Sequence, residues 1–211
     1  MKILDYLRLI RFHNIFIACL SVLLSAHLID IYNWHQIMIC MFLIIFSMNF
    51  ANSMNDILDF QADKINHPKR VMSKGLISFN KAKTISCLSL LISIVFSFFL
   101  NSIDIKIFFY IILLTLIAYN FFLKKIAFIG NIIIASLLAS IFIFIELALT
   151  TQVNILTIPA LLAFGLSLIR ESIKDLHDFS LVFTHNDHYL LIGCMDYPRC
   201  QKTITFFLKR D

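Results

Sequence analysis

Charge is scarce in this 211-residue sequence, and its distribution is uneven. Only 15% of the residues are Asp, Glu, Lys or Arg, where a soluble domain of this size carries about 25%. The charged residues also avoid long stretches of chain, which excludes an ordinary soluble globule. Glycine and proline are rarer still, four and three residues, so there is no low-complexity linker and no soluble module for one to tether. No basic stripe interleaved with aromatics occurs, and the net charge of +5 therefore points away from nucleic acid. Of five cysteines, Cys19, Cys40 and Cys87 sit in apolar stretches and Cys194 and Cys200 near the end. None is placed for a disulfide framework, and His185, His188, Cys194 and Cys200 match no standard zinc spacing.

What remains is hydrophobic. Stretches long enough to cross about 30 Å of hydrocarbon lie near 12–30, 36–54, 84–101, 105–123, 127–150 and 153–170. The expected class is an all-α polytopic membrane protein with about six spans. Lys2, Arg8 and Arg11 precede the first span, Lys64 to Lys83 follow the second, Lys124 and Lys125 follow the fourth, and Arg170 and Lys174 follow the sixth. Of 18 basic residues, only Lys106 falls on the opposite side. The positive-inside rule thus predicts a cytoplasmic N-terminus in an inner or plasma membrane. The first apolar run is too long for a signal core and lacks a small-x-small cleavage site, so it reads as a retained anchor. The basic loops suit anionic lipid and a phosphorylated substrate. Ionisable residues inside the spans are nearly absent apart from Glu146, which disfavours a channel or transporter.

The second span runs into Asn55-Asp56-Ile57-Leu58-Asp59-Phe60-Gln61-Ala62-Asp63. As one continuous helix, this segment would hold Asp56, Asp59 and Asp63 within an arc of roughly 60°. Three like charges on so narrow a face call for a compensating cation, and Mg2+, with its preference for hard oxygen ligands and substrate phosphates, is the natural one. A solvated acidic helix end is the plainer alternative. A second cluster follows the sixth span, Arg170-Glu171-Ser172-Ile173-Lys174-Asp175-Leu176-His177-Asp178, where Glu171, Asp175 and Asp178 share a face. Two carboxylate clusters facing one cavity suit a diphosphate bridged by divalent metals.

These residues resemble the UbiA superfamily of intramembrane prenyltransferases. Asn55-Asp56-x-x-Asp59-x-x-x-Asp63 with Asn66, Pro68 and Arg70, then Gly75-Leu-Ile-Ser78, is similar to its first signature. Tyr119-x-x-x-x-Lys124-Lys125 with Gly130-Asn131 resembles its second element, and Arg170-Glu171-x-x-Lys174-Asp175-x-x-Asp178 its second acidic signature. The resemblance implies Mg2+-dependent transfer of a polyprenyl group from its diphosphate to an acceptor. Asn55, Asp56, Asp59 and Asp63 would hold one metal, and Asp175 and Asp178 another. Arg70, Lys124 and Lys174 would grip the diphosphate, and Tyr119 would face the developing allylic cation. Asp56, Asp59, Tyr119 and Lys124 are the catalytic candidates. The apolar spans would form the groove for the isoprenoid tail.

Leu9-Ile10-Arg11-Phe12-His13-Asn14 resembles the start of the digeranylgeranylglyceryl-phosphate synthase branch, which implies a geranylgeranyl donor, a glycerol phosphate ether acceptor, and Arg11 and Asn14 as substrate contacts. An aromatic acceptor of quinone synthesis is the alternative, and an inactive remnant a third reading. The chain departs from the family pattern at Val71, where Pro is usual, and at Val182, where a third Asp is expected. Residues 1–178 are thus expected to form a UbiA-like domain and 179–211 a divergent cytoplasmic tail. Relatives carry about three more membrane helices of ~20 residues each; a truncated or frameshifted reading frame is the expected cause, and a natural short form completed by a partner chain is the alternative.

Overall fold

In the computed structural model, residues 3–126, 128–183, 189–194 and 204–207 are described, without the side chains of 62, 65, 66, 125 and 174 onward. A short helix α1 (Ile3–Leu9) leads into α2 (Phe12–Ile29), α3 (Trp34–Leu58), α4 (Phe60–Asn66), α5 (Phe79–Ser97), α6 (Ile103–Phe121), a 3-10 turn (Leu123–Lys125), α7 (Ile129–Thr150) and α8 (Thr157–Asp178). Strands β1 (Phe179–Phe183), β2 (Tyr189–Cys194) and β3 (Ile204–Phe207) follow in an antiparallel order β1-β2-β3. The all-α bundle expected from the sequence therefore runs through residue 178, and the strands come after it.

Among the described residues, five helices, α2, α3, α5, α6 and α7, are long and apolar enough to cross a membrane, and the chain is a multi-pass membrane protein. The sixth expected span, 153–170, differs from expectation. Its helix opens only at Thr157 and meets Arg170 and Glu171, which leaves about 13 apolar residues, or about 20 Å. That falls short of a full crossing. The last turns of α7 hold the one acidic residue of that helix. Glu146 is fully buried, and its carboxylate accepts hydrogen bonds from the backbone N–H groups of Asn154 (2.8 Å), Ile155 and Leu156 (3.0 Å). An anion thus satisfies the orphan donors leading into α8, which accounts for the isolated charge in this span.

Helix α3 is the axis of the bundle and packs on α2, α5, α6 and α7. Ile37, Cys40, Leu43 and Ile44 of α3 meet Ala18, Val22 and Ala26 of α2, Phe109 and Leu113 of α6, and Phe144, Ile145 and Ala148 of α7. Its most extensive contact is with α5, and composition explains it. Ala82, Ser86, Ser89, Ser93 and Ser97 form a small-residue stripe that is almost wholly buried. Small side chains let two backbones approach closely where lipid provides no hydrophobic drive between helices. Ser86 Oγ donates across the interface to the Phe50 carbonyl at 3.3 Å.

A second apolar cluster fixes the loop after α4. Leu9, Val71, Met72, Ile77 and Ala82 pack together with Ile57, Phe60 and Ile85. Gly75 sits at φ +71°, a left-handed conformation that suits glycine. It closes the turn through Gly75 N–H to the Met72 carbonyl (2.9 Å) and Leu76 N–H to the Val71 carbonyl (3.1 Å). Val71, where the family pattern has Pro, is a buried anchor of this loop, and the loop carries Arg70.

Candidate functional site

The acidic segment is not one continuous helix. Asp59 ends α3 and also precedes α4, with φ −93° and ψ 0°. Hydrogen bonds from the Asp59 N–H to the Asn55 carbonyl (2.9 Å) and from the Asp63 N–H to the Asp59 carbonyl (2.8 Å) carry the chain across this interruption, and each aspartate meets a basic side chain. Arg11 Nη2 donates to Asp56 Oδ1 at 3.0 Å. Arg70 Nη1 pairs with Asp63 Oδ2 and lies 3.8 Å from Asp56 Oδ1. Lys124 Nζ donates to Asp59 Oδ1 at 2.6 Å and to Asn55 Oδ1 at 2.9 Å. Asp56, Asp59 and Asp63 are all buried. Buried carboxylates need compensation, and three cations of the chain itself provide it. Among the described residues no three of His, Cys, Asp or Glu converge as a ligand cluster.

Each cation reaches the cluster through a local device. Arg11 stands between α1 and α2 at φ 54°, ψ 55°, a left-handed conformation that costs a non-glycine residue about 1–2 kcal/mol and is held by packing at functional sites. Helix α1 is docked on α3 by Asn49 Nδ2 donating to Tyr6 Oη (2.9 Å) and Asn52 Nδ2 donating to the Ile10 carbonyl (2.6 Å). Those amides, buried or half-buried in an apolar span, mark the docking face. Lys124 lies on the 3-10 turn after α6, and Gly130 lets that turn approach α7. A Cβ on Gly130 would stand 3.3 Å from Lys124 Cα and 3.4 Å from the Leu123 carbonyl oxygen.

One space opens on the cluster, and a second lies a helical turn from it along α3. The first is a cavity of about 280 Å³ lined by Arg8, Arg11, Lys69, Arg70, Asp56 and Val71. The second is an apolar pocket of about 120 Å³ between α3, α6 and α7, with Met48, Asn52, Ile112, Leu116, Leu138 and Ile141 among its lining. Along α3, Met48 and Asn52 continue at helical spacing to Asn55 and Asp59. Along α6, Ile112 and Leu116 continue to Tyr119. The apolar pocket thus runs up to the end of the bundle that carries Lys124.

The structure brings together Arg11, Asn55, Asp56, Asp59, Asp63, Arg70 and Lys124, with Tyr119 on the adjoining face of α6. Asn14, in the first turn of α2, is outside the basic cavity. The side chains of Lys174, Asp175 and Asp178 lie outside the described residues. Arg8 and Lys69 line the cavity and were passed over in the sequence, where they read as membrane-flanking charges. Their signals were the helical spacing of Arg8 to Arg11 and the adjacency of Lys69 to Arg70.

This arrangement has relatives. The chain is 34% identical over 175 residues to a digeranylgeranylglyceryl phosphate synthase of Methanosphaera stadtmanae, covering 82% of this chain and 62% of that one. It is 32% identical over 184 residues to the enzyme of the same name from Saccharolobus solfataricus, covering 85% and 65%. A solved structure described as "Structural and mechanistic insights into the biosynthesis of Digeranylgeranylglyceryl phosphate synthase in membranes" superposes with a TM-score of 0.67 at 32% identity, over 82% of this chain and 62% of the other. The chain thus spans less than two thirds of the length of these relatives. Residues 14–179 match the UbiA prenyltransferase family, and the chain belongs to that family.

Proposed function

We propose that this protein transfers a geranylgeranyl group from its diphosphate to a glycerol phosphate ether. The observation that carries the reading is the junction of a charged cluster and an apolar pocket at one end of α3, α6 and α7. An amphiphilic donor needs both, an apolar groove for its chain and cations for its diphosphate. The names of the relatives supply the acceptor class.

In this reading the donor chain enters the apolar pocket with its allylic end toward Tyr119, and Lys124 and Arg70 bind diphosphate oxygens. Asn55, Asp56, Asp59 and Asp63 offer only hard oxygen ligands, a donor set that fits Mg2+, and Asp175 and Asp178 would hold a second ion. An ion held there would neutralise charge on the leaving diphosphate. As the allylic C–O bond breaks, the diphosphate keeps the electron pair, and the Tyr119 ring stabilises the positive charge on the prenyl carbon. The acceptor hydroxyl oxygen then forms the new C–O bond and releases its proton to water. Arg11 and Asn14 are assigned to the acceptor side. The cluster is read as cytoplasmic, in an inner or plasma membrane, with residues 1–178 as the catalytic domain and 179–211 as a separate tail.

Acceptor competition tests the assignment. With labelled geranylgeranyl diphosphate and Mg2+, label is expected in the glycerol phosphate ether and not in hydroxybenzoate or naphthoate. Preferential labelling of an aromatic acid would overturn the acceptor class.

A further inference from the structure

The end of α3 separates two spaces of opposite character. Asn55 and Asp59 face Lys124, with the apolar pocket opening beside Asn52 one helical turn earlier on α3, while Asp56 faces Arg11 and the basic cavity. In that cavity four basic residues meet one carboxylate. Arg11 and Arg70 are engaged with Asp56 and Asp63. Arg8 and Lys69 form no ion pair among the described residues. They account for the excess positive charge of a space large enough for a small anion.

We propose that Arg8 and Lys69, together with Arg11, bind the phosphate monoester of the acceptor. The inference rests on the prenyltransfer reading and adds the residues that select a phosphorylated acceptor. A phosphate monoester carries about −1.5 to −2 near pH 7, and guanidinium groups bind its oxygens in bidentate fashion. A carboxylate would leave most of this charge uncompensated. Position agrees with chemistry. Helix α1 exposes Ile3 and Leu4, and that apolar face beside Arg8 suits the membrane–water interface, where a lipid headgroup lies while its chains stay in the bilayer. The donor chain has its own pocket on the other side of α3, so the two anionic substrates approach the cluster from opposite sides.

Steady-state transfer in neutral detergent micelles tests the site, with geranylgeranyl diphosphate as donor and geranylgeranylglyceryl phosphate as acceptor. Arg8→Gln and Lys69→Gln should each raise the acceptor KM about three- to fivefold, the range for a solvent-accessible charge contact, and the double variant about tenfold or more. The donor KM should not move. Arg8→Lys and Lys69→Arg should recover most of the loss, and an acceptor with its phosphate removed should be used equally poorly by parent and double variant. An unchanged acceptor KM, or an equal rise in both KM values, overturns the site. An effect present only in anionic vesicles assigns these charges to the lipid surface and also overturns it. Should the unmutated chain transfer nothing, the prenyltransfer reading fails, and direct calorimetric binding of the phosphorylated acceptor still reads the site. Weaker binding to the double variant supports it, and equal binding refutes it.

Discussion

Replacing Lys124 with Met should destabilise the protein measurably and make it more dependent on divalent metal. Lys124 Nζ lies 2.6 Å from Asp59 Oδ1, and the two side chains are 14% and 10% exposed. Removing one partner of a buried pair costs about 3–5 kcal/mol, because the remaining charge stays in a poor solvent. The small residual exposure brings this toward about 2–3 kcal/mol. For a chain of this size each kcal/mol moves the melting temperature by about 2–4 °C, so Lys124→Met should melt about 5–10 °C below the parent in detergent without Mg2+. The double variant Lys124→Met/Asp59→Asn should recover most of that loss, because it removes both charges. Added Mg2+ should raise the melting temperature of Lys124→Met by more than that of the parent, since the ion replaces the missing charge at Asp59. A single variant as stable as the parent, or a double variant worse by the sum of its parts, would refute the pairing argument. An equal response of both proteins to Mg2+ would refute the metal assignment.

Three further outcomes follow from the packing. Gly130→Ala should lower transfer about tenfold or more with a stability loss of about 1–3 kcal/mol, because its Cβ would crowd Lys124 Cα; labelled transfer and thermal unfolding together separate the two effects. Glu146→Gln should cost about 2–3 kcal/mol, since one of three buried N–H groups loses a charge-assisted acceptor; hydrogen exchange at 154–156 should quicken while donor KM holds. Ser93→Leu, at a fully buried position of the α5 stripe, should separate α5 from α3 and cost at least about 1–3 kcal/mol, read as lower melting temperature in detergent.

Much of the architecture was legible because lipid imposes simple rules. Apolar length set α2, α3, α6 and α7 near their observed bounds, although α5 begins and ends several residues early. The short apolar part of α8 was missed because its flanking residues, 153–156, extend the hydrophobic run without joining the helix. The acidic cluster was legible as residues and less so in its detailed geometry. A helical wheel assumes a continuous helix, while α3 gives way to α4 at Asp59, an interruption without a glycine or proline to announce it. The demand for a compensating cation was sound physics, yet Arg11, Arg70 and Lys124 meet it from 7 to 65 residues away. Such pairings depend on the packing of α1 on α3 and of the 3-10 turn on α7, and neither has a local sequence period. Asn49 and Asn52 could have announced the first of these. An amide in an apolar span normally has a partner, and here the partners are Tyr6 and Ile10.

The central claim is that the cluster at the end of α3 drives transfer of a prenyl group with divalent metal. Its most direct test is labelled transfer from geranylgeranyl diphosphate to geranylgeranylglyceryl phosphate by the purified chain, with Mg2+ or with a chelator. Transfer by the parent in Mg2+, lost with chelator and reduced at least about a hundredfold in Asp56→Ala and Asp59→Ala, is the predicted result. No transfer by the parent, or transfer that neither chelator nor the two substitutions diminishes, would contradict the account.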